Sequence, residues 1–236
     1  MNVLAVGANP DDVEFLCAGT LAMCAQRGDA VSISFLTNGD KGSTDLSPAA
    51  MAAVRKKESE EAAAVIGASL YPLDLPDGEV EVSLPLRQRM VEVIRKTTPD
   101  LILTHAPNDY MSDHNGVSRL VSDASFWAAV AAFKEGSHDL PAHHRIPPVF
   151  YMDTLAGICF VPEEYVDITK VFELKVEMLS KHQSQLKYMK ERDNVDLLDY
   201  MTTAAKYRGY QCGVKYAEGF ILNKVYPSLS TRRVLP

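Results

Sequence analysis

Two adjacent carboxylates, Asp11 and Asp12, follow the apolar run Val3-Leu4-Ala5-Val6-Gly7. A buried strand ending there would deliver both side chains to the carboxyl edge of a sheet, where open α/β folds bind their ligands. A second apolar run, Asp100-Leu101-Ile102-Leu103-Thr104, empties into a polar loop that begins at His105 and ends at Asp113-His114. If both runs are parallel strands, the two loops open on the same edge. An Asp/His set gathered from separate loops has the composition of a divalent-metal site, its hard oxygen and borderline nitrogen ligands suiting zinc or iron. A second carboxylate beside such an ion is free to act as a base toward water.

Each of these residues also has a plainer role open to it. Asp11 and Asp12 could be a helix N-cap and a first-turn acid, stabilising by about 1 kcal/mol. Asp113 could cap a helix that begins near Asn115, with His114 in its first turn. His182, in Lys181-His182-Gln183-Ser184-Gln185 at the end of an amphipathic helix, could answer the helix dipole. His143 and His144 read as loop residues, and Arg55, on the polar face of its helix, as a solvated charge.

The elements that would position these residues alternate between strand and helix. After the opening strand, Phe15, Leu16, Ala18, Leu21, Ala22 and Ala25 recur at helical spacing up to Gly28-Asp29. Cys17 and Cys24 then share one face of that helix and read as reduced core residues. Ala30 to Thr37 predicts a second strand, followed by the loop Asn38 to Ser43 on the same edge as the first loop. An amphipathic helix follows over Pro48 to Gly67, a short strand near Ala68 to Pro72, a turn at Pro76 to Glu79, and a helix over Leu84 to Lys96. Asp100 to Thr104 is then a doubly covered parallel strand, and Gly116 to Phe133 a helix. Lys134 to Pro148, carrying His138, His143 and His144, reads as a long loop. Strands are expected at Val149 to Met152, Ile158 to Val161 and Glu218 to Leu222. One helix is expected from a cap at Asp167-Ile168-Thr169 to about His182, and another over Val195 to Gln211. The expected fold class is α/β, a doubly wound, mostly parallel sheet within a single domain over residues 1–236.

Composition narrows the partners. With 236 residues the chain can bury a substantial core, and 47% hydrophobic with 23% charged residues is ordinary for a globular protein. The net charge of −7, without a local Lys/Arg cluster, argues against nucleic acid. No apolar run reaches the ~20 residues of a membrane span, and no leader pattern opens the chain, so a cytoplasmic location is expected. Four cysteines without C-x-x-C spacing suggest neither a zinc ribbon nor a redox motif.

Taken together, the segments GANPDDVEFLCAGTL, LTNGD, RKKESEEAAAVIGA, LPDGEV, NDYMSDH, VDITKVFELKVEMLSKHQSQ and YAEGF resemble, nearly end to end, the LmbE-like (PIG-L) family of metal-dependent deacetylases. That family removes acetyl groups from N-acetylglucosamine units of glycolipids, small glycosides and thiol-cofactor precursors. The resemblance implies a Rossmann-like three-layer fold with a smaller C-terminal strand and helix portion. It also implies a divalent metal, most simply zinc, a small N-acetylated sugar or glycoside as substrate, and a homo-oligomer, trimer or hexamer. By position, Asn9, Asp12 and His114 match the metal ligands, Asp11 the general base, Arg55 a substrate-binding arginine, and Asp113 an acid that orients a neighbouring histidine. Two positions depart from the family pattern. Asn9 replaces the histidine of A-H-P-D-D and is a weaker, neutral ligand. Met111 replaces the first histidine of H-P-D-H, which stabilises the oxyanion or protonates the leaving amine, so His105, His182 or the His143-His144 loop are the candidates to fill that role. The expected activity is hydrolysis of an N-acetyl group, with Arg55, His105 and His182 on the substrate side. A metal-free descendant acting as a carbohydrate-binding or assembly protein is the alternative.

Overall fold

The computed structural model describes residues 1–134 and 140–226; His138 lies outside them. Chain order is β1 (Asn2–Gly7), α1 (Asp12–Leu16), α2 (Ala18–Gln26), β2 (Ala30–Phe35), α3 (Pro48–Ala64), β3 (Ser69–Leu70), α4 (Leu84–Thr97), β4 (Leu101–Thr104) and α5 (Ser112–Ala128). There follow β5 (Val149–Met152), a short 3-10 turn (Leu155–Gly157), β6 (Glu164–Asp167), α6 (Phe172–Ser180), α7 (Gln183–Asp193), α8 (Leu197–Cys212) and β7 (Ala217–Leu222).

The strands form one seven-stranded sheet in the order β3-β2-β1-β4-β5-β7-β6. β1 to β5 are parallel, and β7 runs antiparallel to both β5 and β6. Alternation along β1 explains the layering. Val3 and Ala5 join a core with α1, α2, α6 and α8, while Leu4 and Val6 join the core of α4 and α5 on the other face. The connection leaves β1 toward β2 and β3, then crosses back to β4 on β1's other side. That reversal is the switch point where strand ends splay and a cleft opens.

The C-terminal portion is tied to the main sheet by a buried carboxylate. Glu218 on β7 accepts hydrogen bonds from the Gly19 and Thr20 amides at 2.9 and 2.7 Å, from Thr20 Oγ1 at 2.6 Å, and from Lys175 Nζ on α6. It thereby satisfies amides that the first turn of α2 leaves without intrahelical partners. Gly19 is required there, since a Cβ would fall 2.7 Å from Ile168 Cγ2.

Several expected elements are corrected. Ile158 to Val161 is not a strand: Ile158 and Val161 are 64% and 81% exposed, only Phe160 of the run turns inward, and β6 lies further on. Asp167 closes β6 rather than capping a helix, its Oδ1 accepting from the Thr169 amide at 2.9 Å, and α6 starts at Phe172. The helix after the acidic loop is two, broken at Cys17 (φ −143), so Cys17 and Cys24 do not share one helix. α5 starts and ends earlier than Gly116 to Phe133, and α7 was not anticipated because none of its residues is buried and no apolar stripe marks it.

Candidate active site

The end of β1 turns sharply into α1. Asp11 has φ 96, a left-handed conformation that only a minority of non-glycine residues adopt and that costs of order 1–3 kcal/mol. The turn places Asp12 in the first turn of α1, with its Oδ2 accepting the Asn9 amide at 2.7 Å. β4 runs beside β1 in register, Thr104 against Val6, so His105 arrives next to Ala8, whose amide donates to His105 Nε2 at 3.0 Å. His114 comes from the first turn of α5. Its Nδ1 lies 3.0 Å from Asp109 Oδ2 and its Nε2 3.5 Å from Asp12 Oδ1. The rings of His105 and His114 stack with centroids 3.9 Å apart, and His105 Nε2 is 3.1 Å from Asp12 Oδ2. One ligand atom from each of Asp12, His105 and His114 lies within 4.8 Å of the others, and all three residues are buried.

This cluster fits a divalent ion on its own chemistry. Asp109 binds the Nδ1 hydrogen of His114, which leaves a lone pair on Nε2, and that buried Nε2 has no hydrogen-bond partner among the described residues. A carboxylate on the far nitrogen is how ligating histidines are held, and one carboxylate with two imidazoles is a zinc-type donor set. With no ion bound, the same groups favour a carboxylate beside a protonated imidazole, and an ion would take that proton's place. Burial alone would raise the Asp12 carboxyl, but His114 and His105 beside it hold it well below the usual range. Burial likewise disfavours the charged form of His114, yet Asp12 and Asp109 push it up to about 10. Burial and the neighbouring His114 keep His105 low.

Asp11 lies in a different setting from Asp12. Burial pushes its carboxyl up to about 7, with Arg55 opposing and Asp12 adding to the rise. Arg55 is 2% exposed and so is not a solvated charge. Its Nη2 lies 3.4 Å from Asp11 Oδ1 and donates to the Pro10 carbonyl, while Nη1 donates to Gln185 Oε1. One turn along α3, Glu58 accepts from the Ser184 amide at 2.7 Å and from Ser184 Oγ at 2.6 Å. The Ser184-Gln185 segment therefore binds the start of α7 to the arginine that holds Asp11. His182 is fully buried, 3.5 Å from Glu14 Oε1, and so does not sit on a helix end facing solvent.

Above these groups is a cavity of about 550 Å3, lined by Asn9, Asp11, Asp12 and Arg55 on one side and by Tyr110, Tyr188 and Tyr200 among others on another. Met111 and Asp113 also line it. Asn9 donates through Nδ2 to Thr37 Oγ1 at 2.7 Å and to Asp77 Oδ1 at 2.9 Å. Asp113 accepts the Gly78 amide at 2.7 Å and the Val80 amide at 3.4 Å, whereas the carboxylate on His114 belongs to Asp109. His143 stacks on His144 and its amide bonds the Ala128 carbonyl at the C-terminal end of α5, so that loop stays apart from the cluster. Asp109, Asp77, Thr37 and Glu58 were not singled out from the sequence; polar residues in loops or on a charged helix face carry no spacing signal.

A doubly wound sheet whose switch point gathers an Asp/His cluster, with a second carboxylate held apart by a buried arginine, defines an α/β protein with a candidate metal-and-base site. Residues 4–125 match the family described as GlcNAc-PI de-N-acetylase, PIG-L, and the chain belongs to that family. It is 30% identical over 227 residues to a diacetylchitobiose deacetylase of Thermococcus kodakarensis, covering 92% of this chain and 81% of that protein. It is 25% identical over 249 residues to a 4-oxalmesaconate hydratase of Pseudomonas putida, covering 97% and 91%. Among solved structures, an N,N'-diacetylchitobiose deacetylase from Pyrococcus horikoshii superposes with a TM-score of 0.82 at 26% identity, over 96% of this chain and 87% of that one.

Proposed function

We propose that the protein is a metal-dependent N-deacetylase that hydrolyses the acetyl amide of an N-acetylated amino sugar or a related small amide. The observation that carries this is the presence of two carboxylates in the wall of one cavity, Asp12 joined to the buried His105 and His114 and Asp11 held separately by Arg55. Asp12 and His114 would hold a divalent ion, zinc by donor type, with a third donor from the end of β1 or β4. Such an ion supplies polarisation of the acetyl carbonyl and a lowered pKa for water.

Asp11 takes the proton from the attacking water as the oxygen–carbon bond forms, and delivers it to nitrogen as the carbon–nitrogen bond breaks. A carboxyl raised toward neutrality suits both halves of that transfer. Arg55 fixes Asp11 Oδ1 and, through Gln185, ties it to α7. Asp113 positions the 78–80 segment on the cavity rim. Met111 has no proton to donate, so none of the developing negative charge falls to that position. Tyr110, Tyr188 and Tyr200 offer ring faces and hydroxyls to a sugar. His105 and His182 belong to the layer beneath this cavity. Assembly into a homo-trimer or hexamer is part of the same proposal.

A second reaction rests on the Pseudomonas relative, which is named a hydratase. Adding water to a carbon–carbon double bond needs the same activated water and base, and Lys41, Arg55 and Arg192 around the cavity would suit a carboxylate-bearing substrate. Acetate release from N-acetylglucosamine and diacetylchitobiose, measured with zinc and after chelation, tests the deacetylase. Asp11→Asn is expected to lower kcat about 100- to 10,000-fold with KM nearly unchanged. Loss of absorbance from an unsaturated dicarboxylate, with no acetate released by the metal-loaded protein, would replace the deacetylase by the hydratase.

A further inference from the structure

We infer that Glu58 is a positioning residue for the reaction proposed above, on which this reading rests: from outside the cavity it fixes the start of α7 and, through Gln185 and Arg55, the setting of Asp11.

Little within α7 holds it in place. None of its residues is fully buried, and Leu186 packs only partly against the core. Its N-cap, His182, supplies no side-chain bond to the first turn. The His182 carbonyl accepts the Gln185 and Leu186 amides at 3.1 and 3.0 Å, and the Lys181 carbonyl accepts the Gln183 amide at 2.9 Å. The Ser184 amide occupies the position that an N-cap side chain ordinarily serves, and it donates instead to Glu58 Oε1 at 2.7 Å. Ser184 Oγ donates to the other oxygen at 2.6 Å. Both oxygens of a buried carboxylate are thus spent on one residue of another helix, and their charge lies at the N-terminus of α7, where the helix dipole favours it. Glu60 and Glu61 on the same helix are exposed, as side chains that serve only its solvation are.

Glu58 and Arg55 lie three residues apart and share a face of α3. Next to Ser184, Gln185 Oε1 accepts from Arg55 Nη1, while Nη2 donates to the Pro10 carbonyl and lies 3.4 Å from Asp11 Oδ1. Arg55 Nε has no partner among the described residues, so α7 at one end and the Asp11 turn at the other fix the guanidinium. The loop after β2 closes over the same side chain: a Cβ on Gly39 would fall 3.0 Å from Arg55 Cγ. Gln185, Tyr188, Met189 and Arg192, spaced as one face of α7, line the cavity, whereas Glu58 and Ser184 do not. A slip of α7 therefore displaces a wall of the cavity and one anchor of the arginine together.

The test compares Glu58→Ala, Glu58→Gln and Gln185→Ala in the full chain. Amide hydrogen exchange needs no substrate. Glu58→Ala is expected to speed exchange about 10-fold or more in residues 183–193 and also in 11–17, well beyond any change in β1 and β4. Glutamine keeps an acceptor for the Ser184 amide, so Glu58→Gln should restore most of that protection. Acceleration confined to 183–193, or spread evenly over the chain, overturns the inference. With zinc-loaded protein and diacetylchitobiose, a wall and base displaced by about 1 Å should lower kcat about 10–100-fold and raise KM in Glu58→Ala, lower kcat in Gln185→Ala, and leave Glu58→Gln within about threefold of wild type. A carboxylate with a merely structural role would lower Tm but leave kcat and KM of the folded protein unchanged, and that result also overturns the inference. Should Glu58→Ala fail to fold, Ser184→Ala, which loses only the hydroxyl bond, takes its place with the same signs expected. If wild type releases no acetate, the proposed reaction fails, and exchange in 11–17 alone decides whether Glu58 holds the Asp11 turn.

Discussion

Asp109 and Asp113 lie four residues apart, and their carboxylates do different work; replacing each by asparagine separates the two. Asp109 Oδ2 is 3.0 Å from His114 Nδ1 and Oδ1 is 3.0 Å from the Met111 amide. Asparagine keeps one acceptor oxygen, so one of these bonds is lost and the charge on the other is removed. Bonds to charged groups contribute about 1.5–3 kcal/mol, against about 1 for neutral ones. Weakening the group that aligns a ligating histidine is expected to lower metal affinity about 10–100-fold, or roughly 1.4–2.7 kcal/mol. The Asn115 side chain still bonds the Asp109 backbone at both N and O, so the loop itself persists. Asp113→Asn instead releases either Gly78 or Val80. It is expected to destabilise by about 1–2 kcal/mol and lower Tm by a few degrees, with metal affinity within about threefold of wild type. Co2+ titration and thermal melting of the two variants check both halves. A larger affinity loss in Asp113→Asn than in Asp109→Asn would refute the assignment of the two carboxylates.

Three further outcomes follow from the buried groups. Lys175→Met leaves Glu218 with its amide and hydroxyl donors but no countercharge, so urea unfolding should show a loss of about 3 kcal/mol at an unchanged m-value. A loss below 1 kcal/mol would mean the pair only breaks even. Burial lowers the His182 pKa but Glu14 and Asp11 outweigh it, leaving it raised above 6.5. The stability this contributes is complete below pH 6.5 and disappears as pH rises through the folded-state pKa. The stability gap between wild type and His182→Gln should therefore be wider at pH 6 than at pH 9, and a gap that grows with pH would contradict the ion pair. Finally, Cys159 and Cys212 are exposed whereas Cys17 and Cys24 are buried, with the Cys24 thiol pushed up to about 12 by burial. Two thiols should react with a disulfide reagent in the folded protein and four after unfolding.

The main sheet was legible because its signals are redundant. Continuous apolar strands, helices with one apolar face and polar loops at a constant edge all require the same doubly wound order, and β1, β2, β4 and β5 lie close to where their patterns put them. The C-terminal portion was legible only in part, since its cues compete. Ile158 to Val161 has strand composition but pairs with no strand, while Glu164–Asp167, equally with one buried residue of four, pairs with β7. α7 gave no periodic signal because it is held by its first turn, through Ser184 and Gln185, rather than by an apolar face.

The site divides along a similar line. Asp11, Asp12 and His114 could be found from sequence because strand ends and a parallel order bring their loops together whatever the side chains do. Which carboxylate faces His114 could not, because Asp109 and Asp113 share one loop, and the choice depends on the turn that begins α5 at Ser112 instead of near Asn115. The same holds for Asn9 and His105. His105 follows directly on β4 and Asn9 lies two residues past β1, its neighbour in the sheet, so both come close to Asp12. Sequence alone gives only an amide side chain at position 9. The parallel pairing of β1 with β4 places another imidazole within 3.1 Å of the same carboxylate. The sheet thus fixes where the two loops converge, and the turns after each strand end decide which side chain reaches that point.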